Sequence, residues 1–278
     1  MTTMPITPED PVARFEQDGY AVVRGLFAPE EVAELRDTFT DLNANGPIEG
    51  LSEILRGKDG YTDSDPLSFY PRMMHPHRHL DKPVGPLALR RMLDARLYPL
   101  LKAFMQDEPA AVQSMFYFKP AGARGQDLHQ DNFYLRVKPG TCCAMWLAVD
   151  DADEENGGMV VVPGTHDMEV VCPEPADKTE FFTDHHVDVP EGKEAVPVRL
   201  KAGDVLFFNG SVIHGSYANR SKDRFRRAFI CHYVPASSAE LSHWYVEPQL
   251  FDGTTIEIPE ATGGGPCGRA EAGIRSPH

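Results

Sequence analysis

The spacing of apolar residues predicts helices in the first third of the chain. Residues 8–20 have a short amphipathic pattern, and residues 28–46 have Pro29 and two glutamates where the first turn of a helix would lie. A third helix is predicted over residues 87–105, with a break at Pro99. Residues 46–86 are rich in Gly, Pro, Asp and His and lack a clean period, so we expect irregular structure that could form a lid.

From residue 111 onward the pattern changes to short runs of β-branched and aromatic residues, separated by Gly, Pro, Asn and Asp. These runs cover residues 111–120, 141–151, 157–166, 196–200, 203–210 and 226–235. Many short strands of this kind are typical of a sandwich or barrel. Because helices come first and strands follow, we predict one domain over residues 1–255, mainly β with flanking helices, with its β core at 111–240. The Gly-rich residues 256–278 are expected to form a flexible tail.

The charge of the chain excludes several classes of partner. It has 27 Lys and Arg residues against 42 Asp and Glu residues, a formal net charge of −15, so we expect it to bind neither nucleic acid nor an anionic membrane. Its uncharged apolar runs are far shorter than the roughly 20 residues that span a bilayer.

The start of the chain and its cysteines bear on its compartment. The first ten residues lack the pattern of a secretory signal. The five cysteines are an odd number without C-x-x-C spacing, which disfavours a disulfide scaffold or a cysteine-based zinc site. We therefore expect a cytoplasmic protein with reduced cysteines, and the sequence leaves its oligomeric state open.

Two histidines and an aspartate are the first candidates for chemistry. In the run His129-Gln130-Asp131, an extended backbone would point the first and third side chains to the same face. His214, at the far end of the β region, could supply a third ligand. Two imidazoles and one carboxylate on one face of a metal leave three positions open, which suits non-haem Fe(II) and O₂ chemistry. Taken alone, the H-x-D tripeptide is a weak signal, because a surface histidine beside a solvated aspartate gives the same pattern.

A cluster of three arginines follows His214, at Arg224, Arg226 and Arg227. A buried guanidinium binds a carboxylate through two parallel charge-assisted hydrogen bonds. An open iron site with an arginine on a nearby strand would suit a 2-oxo diacid, whose keto-acid end chelates the metal. The alternative is that the three arginines form a solvated face of an acidic protein.

Strand parity places two of these arginines on opposite faces of the predicted strand, but both faces of a covered sheet can be buried, so parity alone does not choose between them. Arg226 and Ala228 fall on one face of the predicted strand, and Arg227 and Phe229 fall on the other. The small Ala228 leaves room for a ligand beside Arg226, whereas Phe229 suits packing under helices. Arg224 lies in a polar run and is expected to remain in the turn.

The sequence around these residues resembles the phytanoyl-CoA dioxygenase (PhyH)-like family of Fe(II)/2-oxoglutarate-dependent oxygenases. LHQDNFY is similar to the family's first metal motif, and WLAVDDADEENGGMVVVPGTH is similar to its tryptophan strand and acidic turn. KAGDVLFFNGSVIHGSYANRSKDRFRRAFICHY is similar to its second histidine and its arginine-containing strand. The resemblance covers roughly residues 10–240. It implies a double-stranded β-helix, a cupin-like jelly roll with helices packed on one sheet.

Carried onto this chain residue by residue, the resemblance implies an iron site and a cosubstrate site. His129, Asp131 and His214 would bind Fe(II). Arg226 would bind the distal carboxylate of 2-oxoglutarate, with Ser216 as a further contact. The segment between the second histidine and the arginine is one residue longer than the family spacing, so the two neighbouring arginines compete for this role.

Four further positions match pocket residues of related enzymes. Trp146 and Met115 match positions that line the cosubstrate pocket, and Lys119 resembles a lysine that contacts the cosubstrate in ectoine hydroxylase. Gln113 matches a glutamine that contacts the substrate. Trp146 could equally be an ordinary core aromatic.

We expect structural roles for several other histidines. Residues 73–79 hold three histidines at alternating positions, which fits a lid or pocket wall better than a metal site, since no acidic partner accompanies them. His166 follows a turn and is expected to form structural hydrogen bonds. His185 and His186 lie among aspartates and are expected to be exposed.

The implied function is a C–H oxidation. The resemblance implies an oxidoreductase that uses Fe(II), 2-oxoglutarate and O₂ and releases succinate and CO₂. We expect hydroxylation of a small polar metabolite or natural-product intermediate of secondary metabolism, because no basic cluster for a CoA phosphate stands out. The alternatives are a non-catalytic binding protein on the same scaffold and a cupin-type metal-dependent hydrolase or isomerase.

Overall fold

The helices of the protein precede most of its strands, as the sequence predicts. The computed structural model describes residues 10–53 and 62–262. Within these residues the helices and one 3₁₀ turn are α1 (Pro11–Asp18), α2 (Pro29–Leu42), α3 (Pro66–Phe69), η1 (Pro76–Arg78), α4 (Val84–Met92), α5 (Leu97–Met105) and α6 (Asn132–Leu135). The strands are β1 (Tyr20–Val23), β2 (Met73–Met74), β3 (Pro109–Tyr117), β4 (Gln126–His129), β5 (Cys143–Ala148), β6 (Met159–Val161), β7 (Glu174–Pro175), β8 (His185–His186), β9 (Val196–Val198), β10 (Val205–Asn209), β11 (His214–Ser216), β12 (Ala228–Pro235) and β13 (Gln249–Leu250).

The strands form two antiparallel sheets that face each other. The larger sheet has the order β1-β10-β5-β12-β3-β13, with β2 also paired to β3, and the smaller has the order β4-β11-β6-β9. β7 and β8 form a separate ribbon. Apolar side chains from both sheets, including Met115, Trp146 and Val161, pack in one cluster between them. This is the double-stranded β-helix, or jelly roll, that the resemblance implies.

Helices cover the other face of the larger sheet. Phe39 of α2 stacks on Phe116 of β3 with ring centroids 4.1 Å apart, and Phe229 of β12 lies in the same cluster. Residues from α1, α4 and α5 complete this cluster. Because alternate residues of a strand face opposite sides, β3 and β12 each send one set of side chains to the helices and the other to the space between the sheets.

The helix predicted over residues 87–105 is in fact two helices. α4 ends at Met92 and α5 begins at Leu97, so the break lies between these residues and not at Pro99. Pro99 is the third residue of α5, where a backbone N–H would have no partner within the helix. Proline is tolerated at such a position, and the predicted break at Pro99 is therefore wrong.

Residues 256–262 pack against the body of the domain. Ala261 is buried, and backbone hydrogen bonds join Leu241 N to Pro259 O at 3.0 Å and Ala261 N to Leu241 O at 2.9 Å. The flexible tail expected from residue 256 therefore does not begin there. Residues 263–278 lie outside the described part of the chain.

The cysteines are not all reduced. Cys142, Cys143 and Cys231 are free and buried, whereas Cys172 is disulfide-bonded. The expectation of reduced cysteines is therefore wrong at Cys172. Across the residues described, none of the helices has the length and apolar composition of a membrane span.

Candidate active site

His129, Asp131 and His214 converge in the space between the two sheets. His129 is the last residue of β4, His214 is the first residue of β11, and the two are paired directly across the strands. Asp131 directly precedes α6. One possible ligand atom from each residue lies within 4.8 Å of the others, and all three residues are buried. Among the described residues, they form the one such group of metal-ligating side chains.

The H-x-D tripeptide does not lie on one extended strand. β4 ends at His129, and Asp131 has helical backbone angles, with φ −62° and ψ −34°. The expected extended conformation is therefore wrong, because the chain turns into α6 and this turn carries the carboxylate back toward the two imidazoles. Gln130 anchors the turn, since its amide donates to Ser211 O at 2.8 Å and accepts from Val171 N at 2.7 Å.

Backbone carbonyls fix the orientation of both imidazoles. His129 Nδ1 lies 2.7 Å from Asp127 O, and His214 Nδ1 lies 2.9 Å from Val212 O. A carbonyl oxygen only accepts hydrogen bonds, so each Nδ1 carries a hydrogen and each Nε2 offers a lone pair. The two Nε2 atoms lie 3.4 and 3.5 Å from Asp131 Oδ1. Three ligand atoms therefore face one point.

The electrostatics of the group favour its metal-binding protonation states. Burial alone would raise the pKa of Asp131, but the neighbouring His214 and His232 hold it well below its ordinary value. Burial lowers the pKa of His214 to about 4, against the attraction of Asp131. At neutral pH the site therefore holds an ionised carboxylate and a neutral His214, the forms that bind metal ions.

A fourth residue, His232, completes the surroundings of Asp131. It lies on β12, is 2% exposed, and places Nε2 2.9 Å from Asp131 Oδ2. The sequence analysis did not identify it. The one available signal is parity, because residue 232 shares a strand face with Arg226, and that signal names no function.

A cavity of about 30 Å³ opens onto the three candidate ligands. Met115, Trp146, Ser216 and Arg226 all line it. Lys119 reaches the same space through Ser216, because its Nζ donates to Ser216 Oγ at 2.9 Å. Four of the five positions that the resemblance assigns to the cosubstrate therefore line one cavity, and the fifth, Lys119, contacts one of them.

Arg226 and Lys119 bring two cations into this interior. Arg226 Nε donates to Gly157 O at 2.8 Å, and its guanidinium lies 5.2 Å from the Trp146 ring centroid. Arg226 Nη1 is buried and has no hydrogen-bond partner among the residues described. Burial lowers the pKa of Arg226 to about 10, and burial together with Arg226 holds the pKa of Lys119 well below its ordinary value. Two buried cations would be stabilised by an anionic ligand between them.

The neighbouring arginines are directed elsewhere. Arg227 makes a two-pronged ion pair with Asp150, through contacts of 2.8 Å from Nε and Nη2. Arg224 makes an equivalent pair with Asp153 at 2.8 Å. The parity prediction for the strand is confirmed, because Arg226 faces the cavity and Arg227 does not.

Gln113 is fully buried, and its partner across the strands lines the cavity. It is paired across the strands with His232, on the face of β3 that points between the sheets. Neither its amide nitrogen nor its amide oxygen has a hydrogen-bond partner within the described part of the chain. A buried amide without partners is costly, which indicates that Gln113 faces a ligand or water.

The histidines of residues 73–79 contribute to the wall near β3. His77 Nδ1 lies 2.6 Å from Ser114 Oγ, while His75 Nδ1 is buried with no partner among the described residues. Burial, Arg78 and neighbouring histidines lower the pKa values of His75 and His77 to about 3. Both imidazoles are therefore neutral, and these histidines do not join the metal-ligand group.

Three further histidines contact other parts of the fold. His166 Nε2 lies 3.2 Å from Glu16 O. His185, expected to be exposed, is half-buried and lies 3.0 Å from the Tyr134 hydroxyl. His186 is also half-buried, because its Nδ1 contacts Asp127 Oδ1 at 3.0 Å.

The donor set fits Fe(II), and the buried cations fit a diacid. Two imidazole nitrogens and one carboxylate oxygen are the ligands of an open non-haem iron site. The unpaired Nη1 of Arg226 and the ammonium of Lys119 suit the carboxylates of 2-oxoglutarate.

Comparison with known proteins identifies relatives over most of the chain. The family model for phytanoyl-CoA dioxygenase (PhyH) matches residues 15–228. A Caenorhabditis elegans protein named "Probable phytanoyl-CoA dioxygenase" is 38% identical over 242 residues, covering 79% of this chain and 73% of the relative. "Phytanoyl-CoA dioxygenase 1" of Oryza sativa subsp. japonica is 27% identical over 257 residues, covering 82% of this chain and 89% of the relative.

Solved structures share the fold. The epimerase SnoN, in complex with Fe³⁺, alpha ketoglutarate and nogalamycin RO, has a TM-score of 0.65 at 22% identity and covers 85% of this chain and 86% of its own. EvdO2 from Micromonospora carbonacea var. aurantiaca, complexed with 2-oxoglutarate, has a TM-score of 0.62 at 21% identity and covers 84% of this chain and 93% of its own.

Proposed function

The chain belongs to the phytanoyl-CoA dioxygenase family and is an Fe(II)- and 2-oxoglutarate-dependent dioxygenase, and from that premise we propose that it hydroxylates a C–H bond of a small polar metabolite or natural-product intermediate. Fe(II), 2-oxoglutarate and O₂ are its cofactor and cosubstrates, and succinate and CO₂ are the expected co-products. The observation that carries the proposed site is the convergence of two imidazole Nε2 atoms on Asp131 Oδ1.

We propose that His129, Asp131 and His214 hold the iron. Their backbone hydrogen bonds fix the two Nε2 lone pairs toward the carboxylate before any metal binds, so little side-chain entropy is lost on binding. When bound, the iron and 2-oxoglutarate supply the oxidising chemistry. The protein supplies the ligand geometry and a cavity of about 30 Å³ that opens onto the candidate ligands.

We propose that Arg226 binds the distal carboxylate of 2-oxoglutarate. The side chain is held by Gly157 O and by the Trp146 ring, and Nη1 remains for a ligand. Lys119 and Ser216 would contribute donors on the same side, and Trp146 and Met115 would form the apolar wall. A dianion would neutralise the two buried cations.

We propose that Gln113 contacts the substrate. Its free amide can donate and accept hydrogen bonds at once, which suits a neutral polar group such as a hydroxyl or amide. Among the described residues, Arg72 is paired with Glu53 and Arg124 is paired with Asp65, so neither cation is left for a CoA phosphate. This pairing favours a small polar substrate over a CoA ester.

A second candidate substrate class comes from the relatives. The family matches carry the name phytanoyl-CoA dioxygenase, including the relative at 38% identity. A fatty acyl-CoA is therefore the competing substrate, and the experiment below includes it.

Two measurements test the proposal. Addition of Fe(II) and 2-oxoglutarate without O₂ should give a weak visible charge-transfer band, and H129A, D131A and H214A should each abolish it. A panel of hydroxylated metabolites, amino-acid derivatives and acyl-CoA esters, scored by succinate formation, should then identify the substrate class. No band with the wild-type protein would contradict the proposed iron site. Turnover of acyl-CoA esters alone would contradict the substrate class.

A further inference from the structure

We propose that His232 is a positioning residue, whose imidazole N–H holds one oxygen of Asp131 so that only the other is offered to the metal. This inference rests on the proposed iron site. It concerns a residue on a different strand from both candidate histidine ligands, and the hydrogen bond that carries it does not involve either of them.

The two oxygens of Asp131 have different surroundings. Oδ1 faces the Nε2 atoms of His129 and His214, at 3.4 and 3.5 Å. Oδ2 lies 2.9 Å from His232 Nε2. The carboxylate is thus held in one rotation, with one oxygen toward the ligand group and the other toward β12.

The direction of the hydrogen bond follows from the charge of Asp131. A carboxylate that binds a metal ion is deprotonated and only accepts hydrogen bonds, so the proposed iron site requires His232 Nε2 to carry the hydrogen. The side chains of His232 and Asp131 are only 2% and 3% exposed, so water competes little for this bond. A charge-assisted hydrogen bond in a buried site is among the stronger ones a protein makes.

The larger sheet makes the position of His232 rigid. β12 lies between β5 and β3, and residue 232 is paired with Ala144 on one side and Gln113 on the other. Arg226 precedes this strand on the same face. One backbone segment therefore carries both the cation proposed for 2-oxoglutarate and the donor that fixes the metal-ligand carboxylate.

Loss of the His232 donor should weaken metal binding without removing a ligand. Asp131 would keep both oxygens but lose the contact that selects its rotation. Outer partners of metal ligands typically contribute about 10–100-fold in metal affinity. We therefore expect His232→Leu to raise the Kd for a divalent metal by about 10–100-fold.

The experiment compares three variants of the full chain in a Co(II) titration followed by the visible spectrum, which needs no O₂ and no substrate. His232→Leu removes the donor, and His232→Gln keeps an amide N–H that can donate. Tyr233→Phe is the matched control, because it removes a 2.7 Å hydrogen bond to Met92 O on the opposite face of the same strand.

The expected result is a Kd raised about 10–100-fold in His232→Leu, substantially restored in His232→Gln, and unchanged in Tyr233→Phe. Equal Co(II) affinity in His232→Leu and wild type would overturn the proposal. His232→Gln as weak as His232→Leu would also overturn the donor role. Wild-type protein that binds no Co(II) would instead contradict the iron site itself.

A measurement on the wild-type protein remains decisive if His232→Leu does not fold. In ¹⁵N-histidine-labelled protein, the His232 signal, assigned through its loss in His232→Gln, should be that of a protonated Nε2 in slow exchange with water. An unprotonated Nε2 at neutral pH would overturn the proposal, because it cannot donate to Asp131.

Discussion

At the residue scale, Arg226 is a cation that the protein stabilises only in part. It is 1% exposed, it donates to a backbone carbonyl, and its Nη1 has no hydrogen-bond partner among the described residues. Removing the partner of a buried carboxylate typically costs about 3–5 kcal/mol. Arg226→Leu should therefore raise the KM for 2-oxoglutarate by about two orders of magnitude or more, measured by succinate formation.

Arg227 and Arg224 provide the controls for Arg226. Both are paired with carboxylates away from the cavity, so Arg227→Leu and Arg224→Leu should change the KM for 2-oxoglutarate much less. Metal affinity should survive in all three variants, because none of these arginines is a proposed ligand. A large KM effect confined to Arg227→Leu would mean that the proposed cosubstrate arginine is wrong.

Residue-scale prediction from sequence succeeds where it needs only a local rule. Strand parity placed Arg226 and Arg227 on opposite faces, and the small Ala228 and bulky Phe229 indicated which face has room for a ligand. The convergence of His129 and Asp131 was expected from an extended strand, but it arises from the turn into α6. His232 was not predicted because its contact with Asp131 joins β12 to the turn before α6, and no local pattern encodes that pairing.

At the element scale, the packing of α2 on the larger sheet depends on one aromatic pair. Phe39 and Phe116 are fully buried, with rings stacked at 4.1 Å and an interplanar angle of 5°. Phe39→Ala should lower the free energy of unfolding by about 3–5 kcal/mol, measured by urea denaturation, because it leaves a cavity between α2 and β3. Phe39→Leu fills most of that space and should cost less, and equal losses would argue against a cavity effect.

A second element-scale prediction concerns the β7–β8 ribbon. His186 contacts Asp127 at 3.0 Å and Asp188 at 3.1 Å, and hydrogen bonds to these carboxylates raise the pKa of His186 despite the opposing effect of burial. A pKa raised by folding contributes stability that is present below the unfolded value of about 6.5 and is lost as pH rises through the folded value. Hydrogen exchange in residues 174–188 should therefore accelerate, relative to His186→Gln at the same pH, as the pH rises above about 6.5.

A constant ratio between wild type and His186→Gln across that range would contradict the ion-pair explanation. The two proteins share the same intrinsic exchange chemistry at each pH, so the ratio isolates the effect of the imidazole charge. The backbone pairing of Glu174 with His186 does not involve the imidazole. The backbone hydrogen bonds of the ribbon should therefore be the same in both proteins.

Strands that form long apolar runs in the sequence were predictable. Short strands that depend on pairing with neighbouring strands were not. The long apolar runs that became β3, β5, β10 and β12 stand out in the sequence because both of their faces are buried. β11 has three residues, and it is a strand only because it pairs with β4 and β6. The interruption between α4 and α5 was placed at a proline, although the first turn of a helix accommodates proline.

At the scale of the whole molecule, the site sits where the two sheets meet. The smaller sheet carries His129 and His214, while the larger carries Trp146 and His232. Arg226 lies just before β12 of the larger sheet. Relative displacement of the sheets would separate the candidate metal ligands from the candidate cosubstrate contacts. Packing that holds the edges of the sheets together should therefore affect the site as well as stability.

The final prediction concerns the segment that closes one edge of the domain. Ile256 and Ile258 pack against the cluster that contains Phe133 and Tyr134 of α6, directly after Asp131. Three backbone hydrogen bonds dock the segment, from Ile256 N to Pro248 O, from Leu241 N to Pro259 O and from Ala261 N to Leu241 O. At about 1 kcal/mol for each hydrogen bond, these contacts contribute roughly 3 kcal/mol before side-chain burial is counted.

A chain ending at residue 255 should therefore melt about 6–12 °C below a chain ending at residue 262, and its affinity for Co(II) should also be weaker. Both chains lack the same final residues, so the comparison isolates residues 256–262. Equal Tm values would mean that the segment contributes nothing to the folded state, and equal Co(II) affinity with a lowered Tm would separate its role in stability from any role in supporting α6.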